Sequence, residues 1–133
     1  MLTIERPFLD QMLQHLQAEY PLEGCGLLAG DGMGWITAVY PIYNILQSPT
    51  NYEMDPRQQI QVFLNIEANG WQMVAIFHSH PQGPESPSPT DIALAFYPEA
   101  AHIIVSLQNR TAPIVRAFTI EAQTVTEQTI TIM

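Results

Sequence analysis

The chain has 133 residues, 47% of them hydrophobic, which is enough for one buried core and too few to divide comfortably in two, so a single domain over residues 1–133 is expected. Thirteen acidic residues face four basic ones, Arg6, Arg57, Arg110 and Arg116, and the formal charge of −9 leaves no basic stripe for phosphates, which argues against nucleic acid or an anionic membrane as partner. Cys25 stands alone, excluding an internal disulfide and a thiol-only metal site.

The opening MLTIERPFLD has no basic segment leading into an apolar run, and no stretch approaches the roughly 20 apolar residues that span a bilayer, so a soluble, cytoplasmic chain is expected. Between Pro7 and Tyr20, Phe8, Met12, Leu13 and Leu16 recur at helical intervals, and Pro21 ends the predicted helix. CGLLAG and WITAVYPIYNIL flank Gly30, Asp31 and Gly32 and read as a hairpin. Asp55 and Pro56 have the chemistry of an N-cap and first helical position, opening a helix to about Asn69 whose faces are set by Ile60, Phe63, Leu64, Ile66 and Glu67. MVAIFHSH is an apolar strand with a polar end, and the proline-rich segment 81–89 is a loop. SPTDIALAFYP starts a short helix; AHIIVSLQ, PIVRAFTI and TVTEQTITI follow as strands. This order predicts an α/β fold, a mixed sheet flanked by helices.

His78 and His80 lie two residues apart at a strand end, so both imidazoles project to one face beside a loop that admits solvent. Two converging neutral imidazoles suit a zinc ion, and read alone they are equally compatible with buried histidines satisfied by backbone carbonyls. Asp91, arriving at the start of the next helix, would supply a third ligand and leave a fourth position for water, as catalytic zinc requires. Ser88 and Pro89 also have the pattern of an N-cap and first helical residue, with Asp91 three after the cap. Aspartate is short for a capping-box partner, which leaves its carboxylate available to a metal.

His78-Ser79-His80-Pro81, seven intervening residues from His80 to Ser88, and Ser88-x-x-Asp91 resemble the JAMM (MPN+) metalloprotease motif. Pro21-Leu22-Glu23-Gly24-Cys25-Gly26-Leu27-Leu28-Ala29-Gly30 is similar to the glutamate-bearing first strand of small bacterial members. The resemblance implies an MPN/JAB, cytidine-deaminase-like architecture with zinc held by His78, His80 and Asp91. It further implies that Glu23 is the general base acting on the metal's water and that Ser88 donates to the tetrahedral oxyanion or to that water. The implied activity is hydrolysis of a peptide or isopeptide bond, after the C-terminal Gly-Gly tail of a ubiquitin-like sulfur-carrier protein, with that carrier or a peptide as partner. An open sheet edge beside the proline loop would hold the extended tail by strand addition.

Other readings weigh less. Many proteins of the same fold have lost the metal and act as binding scaffolds, but this chain keeps every motif residue. His78, His80 and Glu85 fit the first motif of a cupin, yet no second motif follows His102 and three helices are written into the chain. The H-x-E and P-C-x-x-C elements of zinc deaminases are missing. Cys25 has no histidine beside it in sequence and reads as core packing; His15 and His102 read as structural or surface residues, and Trp35 and Trp71 as core and rim. Asn44, Tyr52 and Asp55 are candidates for a substrate groove, without a catalytic role.

Overall fold

In the computed structural model, which describes residues 1–133, the chain opens with a short strand, β1 (Leu2–Ile4), and enters helix α1 (Arg6–Glu19). Pro7 lies in the first turn, where its missing N–H has no partner to lose. Leu9, Met12 and Leu16 form the buried face, while Phe8 and Leu13 flank that stripe and pack only partly against the core.

The expected hairpin is formed by β2 (Cys25–Gly30) and β3 (Ile36–Ile42). Asp31 holds its turn by accepting from the N–H groups of Met33 at 2.9 Å and Trp35 at 3.2 Å, and Gly34 takes a φ of 85° that favours glycine. Helix α2 (Pro56–Ala68) begins as the sequence predicts: the Asp55 carboxylate accepts from Arg57 N–H at 2.9 Å and Pro56 occupies the first position. Its packing departs from the expectation. Only Ile66 is buried, whereas Ile60 and Leu64 remain 59% and 62% exposed, since both lie more than about 100° round the helix from Ile66.

The remaining elements are β4 (Gln72–His80), α3 (Pro89–Ala93), β5 (Ala101–Ser106), β6 (Ile114–Glu121), β7 (Thr124–Gln128) and β8 (Ile130–Ile132). The run TVTEQTITI, read as one strand, divides at Thr129: β7 closes an edge of the main sheet and β8 pairs in parallel with β1. The main sheet has the order β3-β2-β4-β5-β6-β7 and is antiparallel except for β4 beside β5. A parallel neighbour demands a crossover, and the proline segment with α3 provides it, so both strands run toward the same end of the sheet. This is the mixed sheet flanked by helices that the sequence predicts. No helix is long and apolar enough to cross a membrane.

Alternation along β4 divides the molecule. Ala75 and Phe77 face the larger core with Leu9, Met12, Leu16, Ile103 and Val105, while Ile76 joins Cys25, Leu27, Ile42 and Met54 on the other face. His78 and His80 continue the Ile76 face and Ser79 the Phe77 face. Gly26 must lack a side chain, since a Cβ there would run into the Phe77 ring and the Tyr40 carbonyl. Truncation should separate core from surface: Leu16→Ala is expected to cost about 2–5 kcal/mol and Leu64→Ala less than about 0.5, measured as shifts in the urea unfolding midpoint at constant slope.

Candidate metal centre

The last six residues of β4, Ala75 to His80, are all buried, and they carry two imidazoles to the end of the sheet where the chain leaves for α3. His78 Nε2 and His80 Nε2 stand 3.1 Å apart, and each lies 3.1 Å from Oδ2 of Asp91, so three donor atoms form an equilateral triangle. Donors at the usual 2.0–2.1 Å from a tetrahedral zinc ion lie about 3.3–3.4 Å apart, so the triangle is within a few tenths of an ångström of that spacing. His80 Nδ1 sits 2.8 Å from the carbonyl oxygen of Pro84. As the donor to that oxygen, a neutral His80 presents the lone pair of Nε2 to the Asp91 carboxylate, a repulsion that positive charge inside the triangle relieves. The residues present therefore fit a cation.

Asp91 reaches the histidines without giving up the helix start. Its Oδ2 accepts from Ser88 N–H at 2.9 Å, and Ser88 Oγ accepts from Asp91 N–H at 3.0 Å, a reciprocal capping box. This corrects the argument that aspartate is too short for the box: one oxygen serves both the cap and the triangle. Burial works to raise the Asp91 pKa, but hydrogen bonds from His78, His80 and Ser88 win and hold the carboxyl well below the usual carboxylate range. The histidines divide. Burial lowers the pKa of fully enclosed His78, whereas at His80 the bonds to Asp91 and Pro84 outweigh burial and raise it.

Glu23, three residues after the end of α1's cap and just before β2, is only 4% exposed. One of its carboxylate oxygens lies within 4.8 Å of ring nitrogens of both His78 and His80. Burial, reinforced by Asp91 and opposed by His80, pushes its carboxyl up to about 8. Glu23, His80 and Ser88 line one cavity of about 290 Å³ with Thr50 and Pro81. The Ser88 hydroxyl accepts from Asp91 N–H there, which leaves its own proton free to donate.

The other candidates separate. Tyr52 lies over His78 with ring centres 4.5 Å apart and a 30° tilt, and lines a second cavity, about 260 Å³, with Met54, Leu94, Phe96 and Tyr97. Asn44 is 5% exposed and lines no cavity, and Asp55 serves as the α2 cap, so neither borders a groove. The edges of the sheet are β3 and β7, whereas the strands beside the proline loop, β4 and β5, are central; the parallel crossover forces them to be neighbours and leaves no open edge there. Glu85 faces Arg116 at 4.0 Å, away from a metal role. His102, read as structural or surface, is 4% exposed with Nε2 unpartnered, and burial and nearby His78 lower its pKa. Nothing in its spacing from His78 signals that proximity; it follows from the register of β4 and β5.

The model of the prokaryotic homologs of the JAB domain matches residues 5–121. A CysO-cysteine peptidase of Mycobacterium tuberculosis is 31% identical over 134 aligned residues, covering 100% of this chain and 92% of that protein. A probable TtuB-protein conjugate cleaving protease of Thermus thermophilus is 40% identical over 93 residues, 69% of this chain and 62% of its own. Among solved structures, a protein of Desulfitobacterium hafniense superposes with a TM-score of 0.91 at 38% identity, covering 100% of this chain and 93% of that one. A JAB1/MPN domain protein of Archaeoglobus fulgidus gives 0.65 at 18% identity, covering 99% of each chain, a likeness of fold.

Cys25 lies beside this site without the character of a nucleophile: its Sγ donates to the Ile42 carbonyl at 3.4 Å, and burial, with Glu19 and Glu23 nearby, pushes the thiol up to about 12. The thiolate fraction at pH 8 is then about one in ten thousand, so the native protein should resist iodoacetamide at that pH and react only after unfolding, as mass spectrometry of the alkylated chain would read.

Proposed function

The chain belongs to the prokaryotic JAB-domain family, and from that membership and its site we propose that it is a zinc-dependent peptidase. Its substrate is a peptide or isopeptide bond that follows the C-terminal Gly-Gly tail of a ubiquitin-like sulfur-carrier protein. The observation that carries this reading is the triangle of His78 Nε2, His80 Nε2 and Asp91 Oδ2, three donors of catalytic-zinc type at 3.1 Å from one another. Peptidase and conjugate-cleaving protease, the activities named for the mycobacterial and Thermus relatives, support amide hydrolysis as the reaction class.

His78, His80 and Asp91 would hold the zinc, with the Pro84 carbonyl fixing His80 and the Ser88 N–H fixing Asp91. When bound, zinc supplies Lewis acidity, polarising the scissile carbonyl and making water more acidic. Glu23 accepts the proton of the attacking water and returns it to the departing amine, from its place beside the two histidines. Ser88 donates its free hydroxyl proton to the oxygen that gains charge as the carbonyl carbon becomes tetrahedral. Glu23, His80 and Ser88 share a cavity, so all three groups can address one carbonyl.

Protein purified without chelator is expected to contain about one zinc per chain by elemental analysis, lost in His80→Ala and Asp91→Asn. Glu23→Gln should keep the metal and lower kcat about 10²- to 10⁴-fold on a carrier fused through Gly-Gly to a second chain, while Ser88→Ala should lower it about 10²- to 10³-fold. Chelation should abolish cleavage and added zinc restore it. A native chain that neither contains nor takes up zinc would overturn the assignment and favour a binding scaffold.

A further inference from the structure

Glu23 belongs to no helix or strand, yet its carboxyl has to hold a fixed position against the two histidines. Its backbone is tied at three points. Glu23 N–H donates to the Ser48 carbonyl at 2.9 Å, the Glu23 carbonyl accepts from Asn44 Nδ2 at 3.0 Å, and Gly24 N–H donates to Ser79 Oγ at 2.9 Å. Ser79 N–H also returns a bond to the Gly24 carbonyl at 3.0 Å, so the residue between the two histidines extends the β2–β4 ladder by one rung.

Asn44 is buried, and its amide is saturated by four bonds. Besides the Glu23 carbonyl, Nδ2 donates to the Asn51 carbonyl at 3.1 Å, and Oδ1 accepts from Leu46 N–H at 3.0 Å and Glu53 N–H at 3.1 Å. Asn51 and Glu53 flank Tyr52, the residue stacked on His78. One side chain therefore ties the segment bearing Glu23 to the loop that covers His78.

We propose that Asn44 is a positioning residue for Glu23, with Ser79 as the second clamp, together fixing the Glu23 carboxyl against the histidine pair. This rests on the hydrolase reading above. If Asn44 merely stitched the 44–54 loop, removing its link to Glu23 would change stability and leave turnover per folded, metal-loaded molecule as it was. Misplacing a reacting group by about 1 Å can cost 10²-fold in rate, so positioning predicts a fall in turnover.

Asn44→Asp separates the two cases, because it keeps the acceptor for Leu46 and Glu53 and replaces the donor to Glu23 and Asn51 with oxygen. On the Gly-Gly carrier fusion, it should retain about one zinc per chain and a KM within about twofold of native, with kcat down about tenfold or more. Combined with Glu23→Gln, it should add no further loss. Ser79→Ala should behave alike and Ser79→Thr should recover, which decides the matter if Asn44→Asp does not fold. Amide hydrogen exchange at Glu23 and Gly24 gives a reading independent of activity and should quicken about tenfold or more in both Asn44→Asp and Ser79→Ala. Native exchange at these amides, or native kcat in folded, zinc-loaded variants, would overturn the positioning role. An inactive native chain, or a fully active Glu23→Gln, would instead overturn the hydrolase reading, with the exchange rates still judging the clamp.

Discussion

Two imidazole nitrogens and a carboxylate oxygen, each 3.1 Å from the other two, form an arrangement that positive charge stabilises, because a neutral His80 donating to the Pro84 carbonyl would turn its Nε2 lone pair toward the aspartate. Much of the surrounding structure follows from holding these three atoms together. His78 is wholly enclosed and His80 nearly so; the burial that opposes a charged imidazole also keeps water from loosening the cluster. The Pro84 carbonyl and the Ser88 N–H, both from the loop between β4 and β5, set the outer bonds of His80 and Asp91. The triangle and that loop therefore define one another.

The sheet explains why the loop is there. Every neighbouring pair is antiparallel except β4 with β5, and this one parallel pair obliges the chain to leave the end of β4 and travel back before β5 can begin. The crossover carries Asp91 past the histidines on the way. On the opposite side of β4, β2 lies antiparallel with Cys25 opposite His78, so the residues just before β2, Glu23 among them, fall beside the end of β4. Strand direction thus delivers the aspartate from one side and the glutamate from the other. A cavity around Met1, Asp31 and Gln72 lies at the other end of β4 and shares none of these groups.

The histidine pair was legible from the alternation of a strand alone, and Asp91 from its distance to a helix start. What local reasoning could not see is that one carboxylate oxygen can serve a cap and meet both histidines together, since capping preferences describe helices in isolation. Glu23 carries no spacing signal: it lies 55 residues before His78, and only the antiparallel register of β2 on β4 and resemblance to a family connect them. Asn44 and Tyr52 act through a loop with no period to read. β1 and β8 have three residues each, too few to show alternation, and the exposure of Ile60 and Leu64 depends on which side of α2 meets the sheet. The asymmetry is physical. Elements with a repeat announce themselves, while contacts made by register and by single side chains do not.

The shared oxygen of Asp91 has a consequence for how such a protein changes over generations. Asparagine at this position keeps an oxygen able to accept from the Ser88 N–H, so the start of α3 can survive while the negative charge is lost. If Asp91 holds a metal, a lineage can give that metal up through this one conservative exchange without rebuilding the loop. Recovering it is as short a journey. Where one oxygen would serve as both metal ligand and helix cap, catalysts and inert binding proteins lie a single exchange apart in sequence.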